Sequence, residues 1–281
     1  SVGLRIGGDN AVIANSKIGT NGLLDRGNTT QGIYIESTAS NPFIRNCVVS
    51  GNNQQGIFVS SDVVNCLIKN SYIGVNETGT AKIANTLEGI KINGISTFSI
   101  DGCLVSGGNS QGISIQGYSE INNDTCTITN CLIGTDYSGN IPIANHKNGI
   151  RVERFYNPLI IKNNTIAYNA ESGILLEEYV ENTIISYNRI HKNQKNGVSI
   201  GEYNSIGREL KNNQVVENEI SENQYGVSLY SRYGVVVNNT FRRNRIFANT
   251  SGGIISRRYS STTMPNNGIQ PGSCNNTLCS Q

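Results

Sequence analysis

Arg151, Glu153 and Glu177 are residues whose types and spacing could support chemistry in this chain of 281 residues. Arg151 and Glu153 belong to the phrase "GIRVE", and Glu177 ends the similar phrase "GILLE". If the two phrases form neighbouring strands, the carboxylates lie about 5 Å apart, which suits the nucleophile and the acid of a retaining glycosidase. The adjacent guanidinium could neutralise a uronate for a lyase. A solvated row of paired charges explains the same three residues without any reaction.

A second set of candidate residues is aromatic. Counted from the glycine of each phrase, the same position holds Tyr118, Phe155, Tyr179 and Tyr203. Rings at one position on successive strands predict a stacked ladder, and an exposed row of rings is also a common platform for sugars. Both interpretations stay open at this point, and the four residues are candidate contacts for a glycan or a partner.

The charges are distributed unevenly along the chain. The 22 Lys and Arg nearly balance the 20 Asp and Glu, but the last acid is Glu222. Six arginines follow it: Arg232, Arg242, Arg243, Arg245, Arg257 and Arg258. A basic end predicts head-to-tail contact between subunits or attraction to an anionic polymer, with Arg232, Arg257 and Arg258 as candidate contacts. We expect no nucleic-acid partner, because no recognised binding motif accompanies these arginines.

These residues must be positioned by a repeated unit, because one phrase recurs along most of the chain. The phrase Gly-apolar-x-apolar begins at residues 3, 32, 56, 89, 112, 149, 173, 197, 226 and 252. A second phrase, x-Asn-x-apolar-x-x-Asn, precedes most of them, as in "KNNTIAYN", and the chain has 41 Asn. Each unit therefore predicts three short strands separated by an Asn turn and a Gly turn.

Strands this short cannot bury themselves alone, and no helical periodicity is present to cover them. Coiling the chain solves this, because each strand then pairs in parallel with the same strand one coil away. The sequence predicts an all-β, single-stranded, right-handed parallel β-helix of about ten coils over residues 1–259, with an asparagine ladder and projecting loops. Residues 260–281 are predicted to be a polar C-terminal tail. A β-sandwich is the alternative, but it does not need identical corners at every turn.

The units "NxIxxNxxxGIxI" resemble the parallel β-helix repeats of the pectin-lyase-like superfamily. The phrase "GTDYSGN...N.GI" resembles repeats of secreted and surface-anchored microbial proteins in that group, and the resemblance covers residues 3–258. It implies the fold but leaves the activity open, since this superfamily includes lyases, glycosidases, epimerases, tailspikes, adhesins and envelope proteins. The Asp cluster expected for calcium-dependent lyases is missing, so we predict no metal site.

Three longer phrases insert loops where plain coils use about three residues. They cover residues 18–33, 73–90 and 133–150. Gly79 and Gly139 predict tight turns within the second and third loops, which should project from the same edge. Thr135, Asp136 and Tyr137 stand at the base of the third loop and are candidate contacts with a neighbouring subunit or a groove.

The seven cysteines form no CxxC pair and the chain has only two His, so we expect neither zinc nor another cofactor. An oxidising, extracellular or cell-surface location fits better. Cys103 and Cys131 follow the Asn corner on neighbouring coils and are candidates for a disulfide, as are Cys274 and Cys279 in the tail. No run of eighteen apolar residues is present, so we predict no membrane span.

Three functions remain. The favoured hypothesis is an extracellular structural or surface protein, a subunit of a fibre, sheath or surface layer that assembles end to end or side by side as a homo-oligomer or polymer. It rests on the absence of a helical cap before the first repeat, for which two explanations stay open. Either the chain is a fragment of something longer, or another copy covers the strand edges at its open end. The alternative is a carbohydrate-active enzyme, namely a lyase, glycosidase or epimerase, that uses Arg151, Glu153 and Glu177 on an extracellular glycan. The third is a glycan-binding module of the tailspike or adhesin type, and a polysaccharide partner is common to the last two.

Overall fold

The computed structural model describes residues 1–94, 96–117, 124–202, 209–231, 235–258 and 268–269. Within these ranges the regular elements are short strands, which form three long parallel sheets. The chain passes through sheets 1, 2 and 3 in order, and each such passage is one coil, numbered by its sheet 1 strand. The predicted all-β, right-handed parallel β-helix is confirmed.

Sheet 1 is built from the Gly-apolar-x-apolar phrases. Its strands are Leu4–Ile6, Ile33–Ile35, Ile57–Val59, Ile90–Asn93, Ile113–Gln116, Ile150–Glu153, Ile174–Glu177, Asn196–Glu202, Tyr225–Ser231 and Gly252–Arg258. Each strand pairs in parallel with the strand of the next coil, and the phrases stay in register, as in Ile90↔Ile113 and Ile150↔Ile174. The repeated glycine therefore fixes which side chains face outward.

Sheets 2 and 3 complete each coil. Sheet 2 contains Val12–Ala14, Phe43–Arg45, Cys66–Lys69, Phe98–Asp101, Cys126–Thr129, Leu159–Lys162, Thr183–Ser186, Gln214–Val216, Thr240–Arg242 and Gly268–Ile269. Sheet 3 contains Lys17–Ile18, Val48–Val49, Tyr72–Ile73, Leu104–Val105, Leu132–Ile133, Thr165–Ala167, Arg189–His191, Glu219–Ser221 and Arg245–Phe247. A short parallel pair, Glu209–Lys211 with Val235–Val237, lies outside the three sheets.

The core consists of apolar columns inside the coils. Side chains alternate along each strand, so Ile90 and Ile92 point inward and are fully buried while Lys91 between them faces outward. Each fully buried Ile contributes roughly 2 kcal/mol of hydrophobic stabilisation. Among the described residues, no helix has the length and hydropathy needed to cross a membrane.

Buried asparagines occupy the corner between sheets 3 and 1. The ladder runs through Asn145, Asn169, Asn193, Asn223 and Asn249, and each side-chain amide donates to the next side-chain oxygen at 3.0, 2.9, 3.0 and 3.2 Å. The predicted asparagine ladder is therefore present. It satisfies amide groups that would be costly to bury unpaired.

A second ladder at the corner between sheets 2 and 3 corrects the prediction for two cysteines. Asn164 continues to Asn188 at 2.9 Å, and on earlier coils the same position holds Cys103 and Cys131. Both are free thiols, 1% exposed, and the Cys131 thiol lies 3.1 Å from the carbonyl oxygen of Thr129. Burial raises the pKa of the Cys131 thiol well above its ordinary value. The thiols take the place of ladder amides and bond to carbonyl groups, and no disulfide joins them. Cys274 and Cys279 lie outside the described residues.

The three inserted loops form a row along sheet 3, and we call them tongue 1 (residues 19–27), tongue 2 (74–85) and tongue 3 (134–145). They touch one another, because the Glu77 N–H donates to the Gly22 carbonyl at 2.8 Å and the Tyr137 N–H donates to the Gly79 carbonyl at 3.0 Å. Gly79 and Gly139 have φ of 67° and 76°, as expected for tight turns. The prediction that tongues 2 and 3 share one edge is confirmed.

Candidate functional site

The outward side of sheet 1, which we call the sheet 1 face, holds the predicted acid and arginine residues. Two positions after the repeated glycine, successive coils present Arg5, Tyr34, Phe58, Lys91, Ser114 and Arg151. Four positions after it, coils 4 to 7 present Asn93, Gln116, Glu153 and Glu177. These two columns run side by side along the axis of the β-helix, one strand spacing per coil.

Arg151 bridges the two glutamates. Glu153 and Glu177 are partners in the register of neighbouring strands, as the glycine spacing predicts. The Arg151 Nη2 atom lies 2.8 Å from Glu153 Oε2, while its Nε atom donates to Glu177 Oε1. Glu153 is only 6% exposed, so this pairing compensates a charge that is nearly removed from water.

The network continues around the turn that follows these strands. The Arg154 Nη2 atom lies 2.7 Å from Glu178 Oε2 and 3.5 Å from Glu153 Oε1. Arg154 and Glu178 have φ of 51° and 49°, a left-handed conformation that turns the chain directly after each strand. Two arginines thus pair with three carboxylates at the point where the sheet 1 strands of coils 6 and 7 end.

The electrostatics of this network limit the chemistry that it can perform. Burial raises the pKa of Glu177, although Arg151 acts in the opposite direction. Burial disfavours the charge on Arg151, but Glu177 and Glu153 outweigh it and raise the pKa of Arg151. Because the guanidinium occupies the space between the carboxylates, the ion pairs must open before a sugar can lie between them or a uronate can reach Arg151.

The predicted aromatic ladder is wrong for its described members. Phe155 is 1% exposed and its ring lies 6.2 Å from that of Phe98 in the core. Tyr179 stacks instead on Tyr156, with ring centroids 6.0 Å apart. The turn at Arg154 breaks the alternation of the strand, and for this reason the next side chain points inward. Tyr118 and Tyr203 lie outside the described residues.

An aromatic pair that the sequence interpretation missed lies on the sheet 1 face. The rings of Tyr34 and Phe58 are parallel within 2°, with centroids 5.3 Å apart, and the Arg5 guanidinium lies 5.3 Å from the Tyr34 centroid. Both rings are half-buried. Their position two residues after the repeated glycine on adjacent coils was the signal that could have identified them.

Polar groups connect this aromatic pair to the arginine network. The Lys91 Nζ atom donates to Gln116 Oε1 at 2.8 Å, and burial lowers the pKa of Lys91. Ser114 lies between Lys91 and Arg151 in the column, and among the described atoms its buried hydroxyl has no hydrogen-bond partner. The sheet 1 face therefore changes from aromatic to charged along the axis.

The residues at the base of tongue 3 lie near sheet 3, away from the sheet 1 columns. Thr135 and Asp136 are buried, and Asp136 Oδ1 accepts from the backbone N–H groups of Asn140 at 3.2 Å and Ile141 at 3.0 Å. Burial opposes the charge on Asp136, but these bonds prevail and lower its pKa. Asp136 thus holds the tongue in shape, and Tyr137, 56% exposed, remains the candidate contact.

The basic end is partly neutralised by acids of the preceding coil. The Arg243 Nη1 atom lies 3.3 Å from Glu217 Oε1, and Arg245 Nη1 lies 2.8 Å from Glu219 Oε2. Arg257 and Arg258 end the last strand of sheet 1, and Arg232 lies outside the described residues. Within the described ranges, no group of three or more His, Cys, Asp and Glu is placed to hold a metal ion.

Comparisons with known proteins agree with this architecture. A family model described as "Right handed beta helix region" matches residues 88–269. A solved structure of the Dettilon tailspike protein is 16% identical, with a TM-score of 0.52, and the match covers 85% of this chain and 48% of the tailspike. The A-module of a mannuronan C-5 epimerase from Azotobacter vinelandii is 16% identical, with a TM-score of 0.49 and coverage of 85% and 65%.

A periplasmic alginate epimerase is 14% identical, with a TM-score of 0.48, and the match covers 83% of this chain and 47% of the epimerase. The chain thus spans about half the length of the tailspike and of this epimerase. At such identities the likeness extends to the fold alone. The comparison with curated protein sequences gives no match. The predicted resemblance to the pectin-lyase-like superfamily is confirmed.

Proposed function

Since the chain belongs to the right-handed β-helix family, we propose that it binds a polysaccharide along the sheet 1 face. The observation that carries the proposal is the parallel pair of Tyr34 and Phe58 in the same column as Lys91 and Arg151. Stacked rings offer an apolar surface to the C–H face of a sugar, and the polar groups beyond them offer partners for hydroxyl groups. An extracellular or cell-surface location is expected for this function.

The dimensions of the columns support this function. Phe58 lies on coil 3 and Arg151 on coil 6, so three strand spacings of about 4.8 Å separate their backbones, roughly 14 Å in all. Lys91 and Gln116 occupy the coils between them and can bond to hydroxyl groups of a chain laid along the axis. The sheet 1 face is therefore long enough to contact several sugar units at once.

The arginine network favours binding over catalysis. Each carboxylate is already paired with a guanidinium, and a glycosidase needs the sugar in that space. A carbohydrate-active enzyme is the second candidate, because the raised pKa of Glu177 is what a general acid requires. The structural hypothesis of a fibre or surface-layer subunit, with its homo-oligomer, stays a prediction.

A glycan array followed by calorimetry tests the proposal. With the oligosaccharide that binds best, we expect Phe58→Ala to weaken the affinity about tenfold, the equivalent of about 1.4 kcal/mol. The matched control is Tyr187→Ala, because Tyr187 is an aromatic residue that is 54% exposed but lies outside sheet 1. The affinity of this variant for the oligosaccharide should equal that of the wild type. Equal losses in both variants, or no binding to any glycan, would contradict the proposal.

The same samples distinguish binding from catalysis. Incubation with the bound glycan should release neither reducing ends nor unsaturated sugars if the sheet 1 face only binds. Product release that disappears in Glu177→Gln, with the affinity retained, would establish the enzyme instead.

A further inference from the structure

A second polar and apolar surface lies at the corner between sheets 2 and 3, on coils 2 to 5. One cleft of ≈ 230 Å³ opens on sheet 2 and is lined by Phe43, Leu67, Lys69, Ser99, Asp101 and Thr129. We call it the sheet 2 cleft. A second cleft of ≈ 400 Å³, which we call the corner cleft, is lined by Asn46, Val48, Asn70, Tyr72, Glu77 and Gly102. Neither cleft belongs to the sheet 1 face.

The two clefts adjoin across a narrow ridge. Asn70 directly follows Lys69 of the sheet 2 cleft, and Gly102 directly follows Asp101, so the ridge is one residue wide. At coil 4 the ridge residue is Gly102, with φ of 65°, and a Cβ atom there would lie 2.5 Å from Asn70 Oδ1. The Asn70 side chain occupies the space beside Gly102, and the two clefts adjoin at this corner of the coils. We call the two adjoining clefts together the track.

The sheet 2 cleft has one apolar wall and one charged wall. Phe43 and Leu67 form the apolar wall, and Leu67 is 43% exposed. On the other wall, Lys69 Nζ lies 3.2 Å from Asp101 Oδ2, while Asp101 Oδ1 accepts from Asn130 at 2.7 Å and Thr129 at 2.9 Å. The hydrogen bond from Asn130 is the main cause of a lowered pKa of Asp101, whose carboxylate is thus held fixed.

The corner cleft repeats this combination. Tyr72 supplies an aromatic side chain, and Glu77 of tongue 2 pairs with Lys17. The exposed side-chain amides of Asn46 and Asn70 stand on the ridge between the two clefts. Each cleft therefore presents an aromatic side chain next to a carboxylate that is already paired with a lysine.

We propose that this track binds a neutral oligosaccharide, with a pyranose ring in each cleft. A sugar ring has an apolar C–H face, which suits Phe43 and Tyr72, and hydroxyl groups that can bond to Asp101, Glu77 and the ridge amides. Each cleft is near the lower end of the usual volume range for ligand pockets, about 300 Å³, which suits one ring. Because Asp101 pairs with Lys69 and Glu77 pairs with Lys17, the track lacks the excess of positive charge that would favour an anionic polymer.

Other classes of ligand fit this track less well. A peptide that adds a strand needs an unpaired sheet edge, but the sheet 2 and sheet 3 strands of coils 2 to 5 are paired on both sides. A nucleic acid needs a concentration of positive charge, and here Lys69 and Lys17 are matched by Asp101 and Glu77. A neutral glycan requires neither an unpaired sheet edge nor a concentration of positive charge.

The track is independent of the sheet 1 face and extends the proposed function. A glycan on the sheet 1 face lies along the axis, while one in the track crosses from sheet 2 to sheet 3. A long neutral polysaccharide with branches could occupy both surfaces, and simultaneous binding would increase the overall affinity.

Calorimetry with three neutral probes, maltohexaose, cellohexaose and laminarihexaose, tests the track. We expect at least one probe to bind to the wild-type chain, and Phe43→Ala and Lys69→Gln each to weaken that binding about tenfold. Lys69 is exposed, so the second variant does not endanger folding. The matched control is Ile184→Ala, a half-buried residue on the outward side of sheet 2 but outside the track, which should bind like the wild type.

The outcome also separates the track from the sheet 1 face. Binding that survives in Phe58→Ala but weakens in Phe43→Ala occurs in the track. This result supports the proposal for the track even if the sheet 1 face binds no glycan. No binding of any probe at about 10 mM, or binding that Phe43→Ala and Lys69→Gln leave unchanged, would overturn it.

Discussion

Asn169 is fully buried, and its side chain accepts from Asn145 at 3.0 Å and donates to Asn193 at 2.9 Å. Replacing it by Ala removes both of these hydrogen bonds and the one that its amide donates to the Ala167 carbonyl, each worth about 1 kcal/mol. We expect Asn169→Ala to lower the free energy of unfolding by about 3 kcal/mol, measured by urea denaturation. Asn53→Ala, at an exposed position, is the control and should change it little. Similar values for both variants would mean that the ladder contributes no more than a surface amide.

His191 should make the stability depend on pH. Its ring is 2% exposed, neither nitrogen has a hydrogen-bond partner among the described atoms, and Tyr168 packs against it edge-on at 5.7 Å. Burial, together with Arg189 and Lys192, lowers the pKa of His191 from 6.5 to about 4, while Glu222 and Glu219 act in the opposite direction. The unfolded chain therefore binds the proton more tightly than the folded chain between these two values.

The stabilising effect of neutral His191 is complete above about pH 6.5 and is lost as the pH falls towards 4. Allowing for solvent screening, we expect the wild type to lose about 1–2 kcal/mol more than His191→Gln between pH 7 and pH 4.5. Urea denaturation at both pH values measures this difference. His146→Gln, at the exposed second histidine, should follow the wild type. Identical pH profiles for the wild type and His191→Gln would contradict the assignment.

The sequence predicts part of the candidate site. The spacing from Gly149 and Gly173 is sufficient to place Glu153 beside Glu177, because a glycine at each coil fixes the register. The bridging by Arg151 depends on the directions of long side chains, which periodicity does not specify. The inward direction of Phe155 depends on the left-handed turn at Arg154, and a non-glycine residue gives no signal for it.

At the scale of elements, the tongues depend on glycines that can be compared in pairs. Gly79 and Gly139 have similar φ, but a Cβ atom on Gly79 would lie 2.8 Å from Leu104 Cδ2 and 2.9 Å from Tyr137 Cβ. On Gly139 the nearest atom would be Leu132 Cδ2 at 3.4 Å. Gly139→Ala should therefore cost only the backbone strain of about 1 kcal/mol, and Gly79→Ala should cost about 1–3 kcal/mol more.

Thermal unfolding of both variants beside the wild type measures this difference. The comparison is controlled internally, because the strain is the same and only the packing differs. If Gly139→Ala were as destabilising as Gly79→Ala, the closer packing around Gly79 would not determine the cost of the substitution.

The strands of sheet 1 were the easiest elements to predict, since each begins with the same phrase. The ladder position between sheets 2 and 3 was harder to recognise. Cys103 and Cys131 occupy this ladder position on coils 4 and 5, and asparagines occupy it on the later coils. The residue type therefore changes along the chain although the geometry of the corner stays the same. The burial of Leu104 against Val75 of tongue 2 and Ile143 of tongue 3 also required the structure, because loop lengths alone do not show what a loop covers.

At the scale of the whole molecule, each coil contacts mainly its neighbours, and the outward faces are free to differ. The sheet 1 face changes from the Tyr34–Phe58 pair to the Arg151 network, and the corner of sheets 2 and 3 carries the track. The same repeat thus positions the two separate sets of groups that we propose as glycan-binding surfaces. Assembly of the chain into a homo-oligomer stays a prediction that native mass can address.

The central claim is that the sheet 1 face holds a polysaccharide, and a crystal structure of the complex with the best-binding oligosaccharide tests it most directly. We predict density for sugar rings over Phe58 that continues past Lys91 towards Arg151 and Glu177. Density confined to other faces of the β-helix, in crystals where the sheet 1 face is open to solvent, would contradict the claim.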